Sequence, residues 1–168
     1  MTGQGERGFE DLECYQLALR VLREAYTLAA RLPEFEKYGL ASQLRRAAVS
    51  VTLNIAEGYG RYHYLDSLRF YYMARGSLTE TLGGFVACWT IGYSSEAELS
   101  HQRQLVHSAL RSLNGYIRYV RKQRQGQELF GNRPLRESDI PYEFTSPEST
   151  NPEFTDPGRQ RWTSTDAT

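Results

Sequence analysis

Four stretches of this chain place apolar residues three and four positions apart, and each stretch ends in a proline, a glycine-containing turn or a basic run. That spacing lines up one face of a 3.6-residue helix, and an apolar helix face is stable only when buried against another. No alternating apolar–polar run is long enough to build a sheet. The expected fold class is therefore all-α: an antiparallel up-down four-helix bundle.

The first helix is expected over residues 12–32, with Cys14, Leu17, Ala18, Val21, Leu22, Ala25, Leu28, Ala29 and Leu32 on its face and Pro33 as its stop. Asp11 fits an N-cap, whose side chain accepts free backbone N–H groups, and Phe9 fits a contact back onto the helix start. The second is expected over 39–59, with Leu40, Leu44, Ala47, Ala48, Val51 and Ile55 inward and Gly58 and Gly60 loosening its end. The connection 33–38 is short, so these two should be antiparallel neighbours.

The third helix is expected over 66–91, capped by Asp66, with Leu68, Tyr71, Ala74, Leu78, Leu82, Phe85, Val86 and Trp89 inward. Glycine inside a helix costs about 1 kcal/mol relative to alanine. Gly76, Gly83 and Gly84 therefore imply either close helix–helix approach or a bend at Gly83-Gly84. After a turn at 92–94, Ser95-Glu96-Ala97-Glu98 fits a capping box. The fourth helix continues through Leu99, Val106, Ala109, Leu110, Leu113, Ile117 and Val120 to the basic end Arg118, Arg121, Lys122 and Arg124. Cations there either complement the helix dipole or contact phosphates.

Three segments follow: a flexible N-terminus (1–10), the bundle (11–124), and a disordered acidic Pro/Ser/Thr-rich tail (125–168) in which Phe144, Phe154 and Trp162 are candidate docking anchors. The formal net charge of zero hides an asymmetry, since residues 1–124 carry 16 Lys/Arg against 12 Asp/Glu and the tail carries 4 against 8. A mildly basic body is compatible with nucleic acid as partner. Cys14 and Cys88 have no neighbours at metal-ligand spacing and read as buried reduced thiols. No leader-like segment and no apolar run of membrane-spanning length is present, which points to the cytoplasm and away from a membrane.

Arg46, Ser50, Asn54 and Glu57 recur at spacings of four, four and three, and so share a face of the second helix. Flanked by Ala47, Val51 and Ile55, that face should be at least half buried, and buried polar groups need partners. Arg75, Ser77 and Glu80 of the third helix are the candidates. Three readings stay open. Ser50, Asn54, Glu57, Ser77 and Glu80 form a structural polar network or subunit interface; Arg45, Arg46 and Arg61 contact phosphates; or Glu57 and Glu80 act as a catalytic carboxylate pair. No Glu-x-x-His pair, nucleophile elbow, phosphate loop or Cys–His arrangement is found, so the chain is read as a non-enzyme needing no metal or cofactor. Tyr59, Tyr62 and Tyr64 with Arg61 and His63 form a mixed aromatic–basic cluster, suited to stacking on bases or to a loop or subunit contact.

The run GLASQLRRAAVSVTLNIAEGYGR, preceded by FEDLECYQLALRV and followed by FYYMARGSLTETL and IGY, resembles the 23S rRNA intervening-sequence proteins over about residues 9–122. The resemblance implies an antiparallel four-helix bundle that assembles as a ring-like homopentamer in bacteria. It also implies that Arg45, Arg46, Ser50, Asn54, Glu57, Ser77 and Glu80 belong to the family motif. A related branch, the accessory variability proteins of diversity-generating retroelements, implies nucleic-acid binding and a reverse transcriptase partner. This chain departs from that branch in its near-neutral charge and acidic tail. The expected function is thus a homo-oligomeric, nucleic-acid-associated accessory factor, binding RNA or DNA through Arg45, Arg46, Arg61, Arg118, Arg121, Lys122 and Arg124. The alternative is a ring-forming structural protein with protein partners only.

Overall fold

A computed structural model describes residues 8–133, and all regular structure among them is helical. The long helices are α1 (Glu13–Arg31), α2 (Leu40–Tyr59), α3 (Tyr64–Thr90) and α4 (Glu96–Gln123), followed by one turn, α5 (Gln127–Phe130). Short 3₁₀ turns precede α1 (Phe9–Asp11) and α2 (Glu34–Glu36). Each long helix packs on two others: α1 on α2, α2 on α3, α3 on α4 and α4 back on α1. Between them lies one core, to which α1 gives Val21 and Leu28, α2 Leu44, Val51 and Ile55, α3 Tyr71, Leu78 and Phe85, and α4 Leu99, Val106 and Leu113. Each such side chain contributes about 1.5–3 kcal/mol by leaving water.

The helix ends show where local chemistry decides. Ser95 and Glu98 form the expected capping box: the Ser95 hydroxyl accepts the Glu98 N–H at 3.2 Å, and Glu98 accepts the Ser95 N–H at 2.8 Å. Arg31, at the end of α1, donates to the same Glu98 carboxylate at 2.6 Å. Asp11 and Asp66 are not N-caps. Asp11 ends a 3₁₀ turn and Leu12 occupies the cap of α1; α3 begins two residues early behind His63, which leaves Asp66 inside the first turn. Phe9 does pack against the start of α1, edge-on to Tyr15 at 4.9 Å. At α2 the cap residue is Gly39, and Glu36 supplies the missing acceptor by taking the Leu40 N–H at 3.0 Å.

Two glycines act by close approach. A Cβ on Gly58 would sit 2.6 Å from the ring of Tyr71, and one on Gly84 would sit 2.8 Å from Leu44 Cδ1. Gly58 therefore does not loosen the end of α2; it is buried in the α2–α3 contact. Of the two readings of Gly83-Gly84, close approach holds at Gly84, whereas a Cβ on Gly76 or Gly83 would meet nothing within 4 Å. Trp89, expected inward, is 41% exposed near the end of α3, with Leu82 and Val86 half-buried. Both cysteines are buried and unpaired, and burial pushes each thiol up to about 11.

Residues 125–133 lie beyond the expected bundle boundary yet pack onto the α2–α3 corner. Tyr64 donates its N–H to the Gln125 carbonyl at 3.0 Å and its hydroxyl to Asn132 Oδ1 at 3.2 Å. His63 Nε2 lies 3.2 Å from the Gly131 carbonyl. Gly126, at φ +77°, lets the backbone pass against His63 and Tyr62. Most of the expected flexible N-terminus (1–7) and of the tail (134–168, with Phe144, Phe154 and Trp162) lies outside the described residues.

Gly58→Ala should destabilise the protein by about 1–3 kcal/mol through overpacking, while Gly83→Ala should stabilise it by up to about 1 kcal/mol. Urea denaturation of the two variants checks the pair of signs. The Ser95 backbone and then Arg31 hold the Glu98 carboxyl down at about 2, against 4.5 for an unperturbed glutamate. Its contribution is therefore complete above pH 4.5 and is lost as pH falls towards 2. Glu98→Gln should flatten that part of the stability–pH curve, measured by melting temperature across the range.

Candidate functional site

The polar face of α2 splits into a bonded middle and charged ends. Ser50 Oγ and Ser77 Oγ lie 2.8 Å apart across the α2–α3 contact, and Asn54 Nδ2 donates to Ser50 Oγ at 3.0 Å and to the Ser50 carbonyl at 2.8 Å. With Asn54 donating to its oxygen, the Ser50 hydroxyl can send its own proton to Ser77. One turn on, Thr81 donates to the Ser77 carbonyl at 2.8 Å. Hydrogen bonds thus link Ser50, Asn54 and Ser77 of the expected set. Glu57 lies outside it, paired with Arg61, and Glu80 stands exposed on α3 without joining it. Arg75, the third candidate partner, instead lies over the ring of Tyr72 at 5.1 Å.

The seam floors a groove of about 600 Å³, also lined by Arg45, Arg46, Glu57, Glu80, Tyr26, Leu53 and Phe70. Leu53 is 63% exposed there, an apolar side chain presented to solvent at the middle of the face. The arginines of this region are not equivalent. Arg45 is half-buried, donates to the Ala29 carbonyl at 3.0 Å and lies over Tyr26, so it ties α2 to α1. Arg61 is held by Glu57 and lies 4.9 Å from the centre of the Phe70 ring. Arg46 alone of the three is exposed with no such tie among the described residues.

The aromatic–basic cluster at 59–64 is only partly a surface. His63 is 1% exposed and Tyr64 is buried, because residues 125–132 cover them. Tyr59 and Tyr62 stay exposed. Arg118, Arg121, Lys122 and Arg124 are all exposed at the end of α4, and no carboxylate pairs with them among the described residues.

Two of these cations enter a second, larger groove of about 1050 Å³ between α3 and the end of α4. Arg121 and Arg124 line it with Arg69, Tyr72 and Met73 of α3, over a floor of Leu65 and Leu68, and no acidic residue is among the lining side chains. Arg69 and Tyr72 are the residues that sequence reasoning missed. Their signal was present, since they sit three apart on one helix face, but their partners come from the far end of the chain. Among the described residues no group of three or more His, Cys, Asp or Glu is placed to hold a metal. No helix among them is long and apolar enough to cross a membrane.

Asn54→Leu removes the donor to Ser50 from a half-buried position, so it should lower stability by about 1 kcal/mol. An unchanged midpoint in urea would show that the seam carries no weight.

No match to a curated protein was found. A family model does match, over residues 10–115, and it spans α1, α2, α3, the seam and most of α4. Covering well over half of the sequence, that match shows that the chain belongs to the 23S rRNA-intervening sequence protein family.

Proposed function

We propose that this protein is a non-enzymatic, homo-oligomeric accessory factor that associates with nucleic acid. The observation that carries the reading is the basic end of α4, where Arg118, Arg121, Lys122 and Arg124 are exposed and unpaired among the described residues. A helix dipole favours cations there but does not require four of them, and unpaired cations are what phosphate contact needs. Arg46 extends the set on α2. Arg45 and Arg61 serve this function less directly, since each is already held within the protein.

The fold proposed is an up-down antiparallel bundle. Arg31, at the end of α1, meets Glu98 in the first turn of α4, and Glu13, at the start of α1, meets Ser112 further along α4 at 2.7 Å, which supports opposite directions for the two helices. The proposed assembly is a ring-like homopentamer, as the family resemblance implies. Leu53, exposed in the seam groove that Arg46 and Glu80 also line, supports that face as the one that meets a second copy. Repetition of a mildly basic body around a ring would multiply its field. A reverse transcriptase is the enzyme such a factor would serve, by resemblance to the retroelement branch.

The second reading, a ring-forming protein with protein partners only, is favoured by Phe35, Tyr38, Trp89 and Ile91, exposed in or beside the α1–α2 and α3–α4 connections. Fluorescence polarisation with a structured RNA and a single-stranded DNA separates the two. Phosphate contact predicts binding at low salt whose logarithm falls linearly with the logarithm of salt concentration. Absence of binding to either at low salt would leave the protein-only reading.

A further inference from the structure

The α3/α4 groove differs from the rest of the basic surface in having an apolar floor beneath its charges. Arg69, Arg121 and Arg124 converge on it with no carboxylate among the lining residues, and Tyr72 and Met73 are exposed along its α3 wall. A duplex buries its bases and offers a protein chiefly phosphates and groove edges, so it makes little use of an aromatic and thioether wall. An unpaired strand offers phosphates and free base faces together, which suits arginines beside an aromatic ring. Arg75 already lies over the Tyr72 ring, so a base stacking there would extend an existing guanidinium–aromatic contact.

A second observation concerns backbone conformation. Arg124 is the C-cap of α4 and the only non-glycine among the described residues at positive φ, +51°. Glycine or asparagine normally fills that position because a Cβ is disfavoured there. The arginine at this cap lines the groove, so the one such backbone conformation coincides with one of the groove's charges.

Resting on the nucleic-acid reading above, we infer that the α3/α4 groove is a binding site for single-stranded nucleic acid. Arg69, Arg121 and Arg124 take the phosphates, and Tyr72 with Met73 takes the bases. The groove's volume of about 1050 Å³ is at the upper end of ordinary ligand sites and has room for more than one nucleotide.

Arg124→Gly and Tyr72→Leu in the full chain test this, with a fluorescein-labelled single-stranded oligonucleotide and a duplex of the same length as probes. Glycine accepts φ +51°, so Arg124→Gly should melt no lower than the parent. Its log–log salt slope for the single strand should fall by about 0.7, the loss of one phosphate contact. Tyr72→Leu should weaken single-strand binding about tenfold with the slope unchanged, since stacking carries no counterion release. Duplex binding should respond to the first variant at most. Equal responses of single strand and duplex to Tyr72→Leu, or no response to either variant, would overturn the groove as the site while leaving nucleic-acid association intact. No binding of any probe by the parent would overturn both. A changed oligomer mass in either variant would make the groove a protein interface and overturn the inference.

Discussion

The contact between α2 and α3 sets the geometry on which both candidate surfaces depend. Near each end of the pair a glycine of one helix faces a large side chain of the other: Gly58 against Tyr71, and Gly84 against Leu44. Between these points the Ser50–Ser77 hydrogen bond joins the two backbones' side chains at 2.8 Å. Large side chains in place of the glycines would push the helices apart and break that bond. Small residues thus bring the helices close, and the hydroxyl pair fixes which residues face each other. A half-buried polar pair favours one register because every slipped alternative leaves a hydroxyl without its partner.

From that pairing the two faces of the bundle separate. On one side, α2 presents the seam groove with Leu53, Arg46 and Glu80 at its rim. On the other, α3 presents Arg69 and Tyr72 towards the end of α4, where the chain turns at Arg124 and runs back along α5 to the His63–Tyr64 corner. That return segment shapes the second groove, since Asn132 lines it while accepting from Tyr64. The division of charge follows. The seam side mixes arginines with Glu57 and Glu80, and the α4 side carries cations without carboxylates among its lining residues.

Much of the fold was legible because burial repeats at helical spacing. Leu44, Val51, Leu78 and Val106 declare their faces in sequence, and Ser95-Glu98 declares a helix start by its reciprocal bonds. The seam was legible for the same reason, as Ser50 and Asn54 stand one turn apart. Asp11 and Asp66 misled because an acid near a helix start can occupy the first turn or the preceding 3₁₀ turn as readily as the cap. Gly58 misled because a glycine that frees the chain and one that admits a neighbouring ring look alike without the neighbour. Arg69 and Tyr72 carry no such sign, because their significance depends on Arg121 and Arg124, about fifty positions away in sequence. The segment 125–133 has no apolar periodicity; it is held by the Gln125 and Gly131 carbonyls, by Gly126 and by the single side chain of Asn132, which make no periodic pattern in sequence.

Hydrogen exchange read by mass spectrometry on the full chain, with and without an excess of single-stranded oligonucleotide, tests this division of faces most directly. Binding at the α4 side predicts added protection in peptides covering 64–73 and 118–132, with 43–57 unchanged by the oligonucleotide. Protection gained over 43–57 and absent from 118–132 would place nucleic acid on the seam and contradict the division.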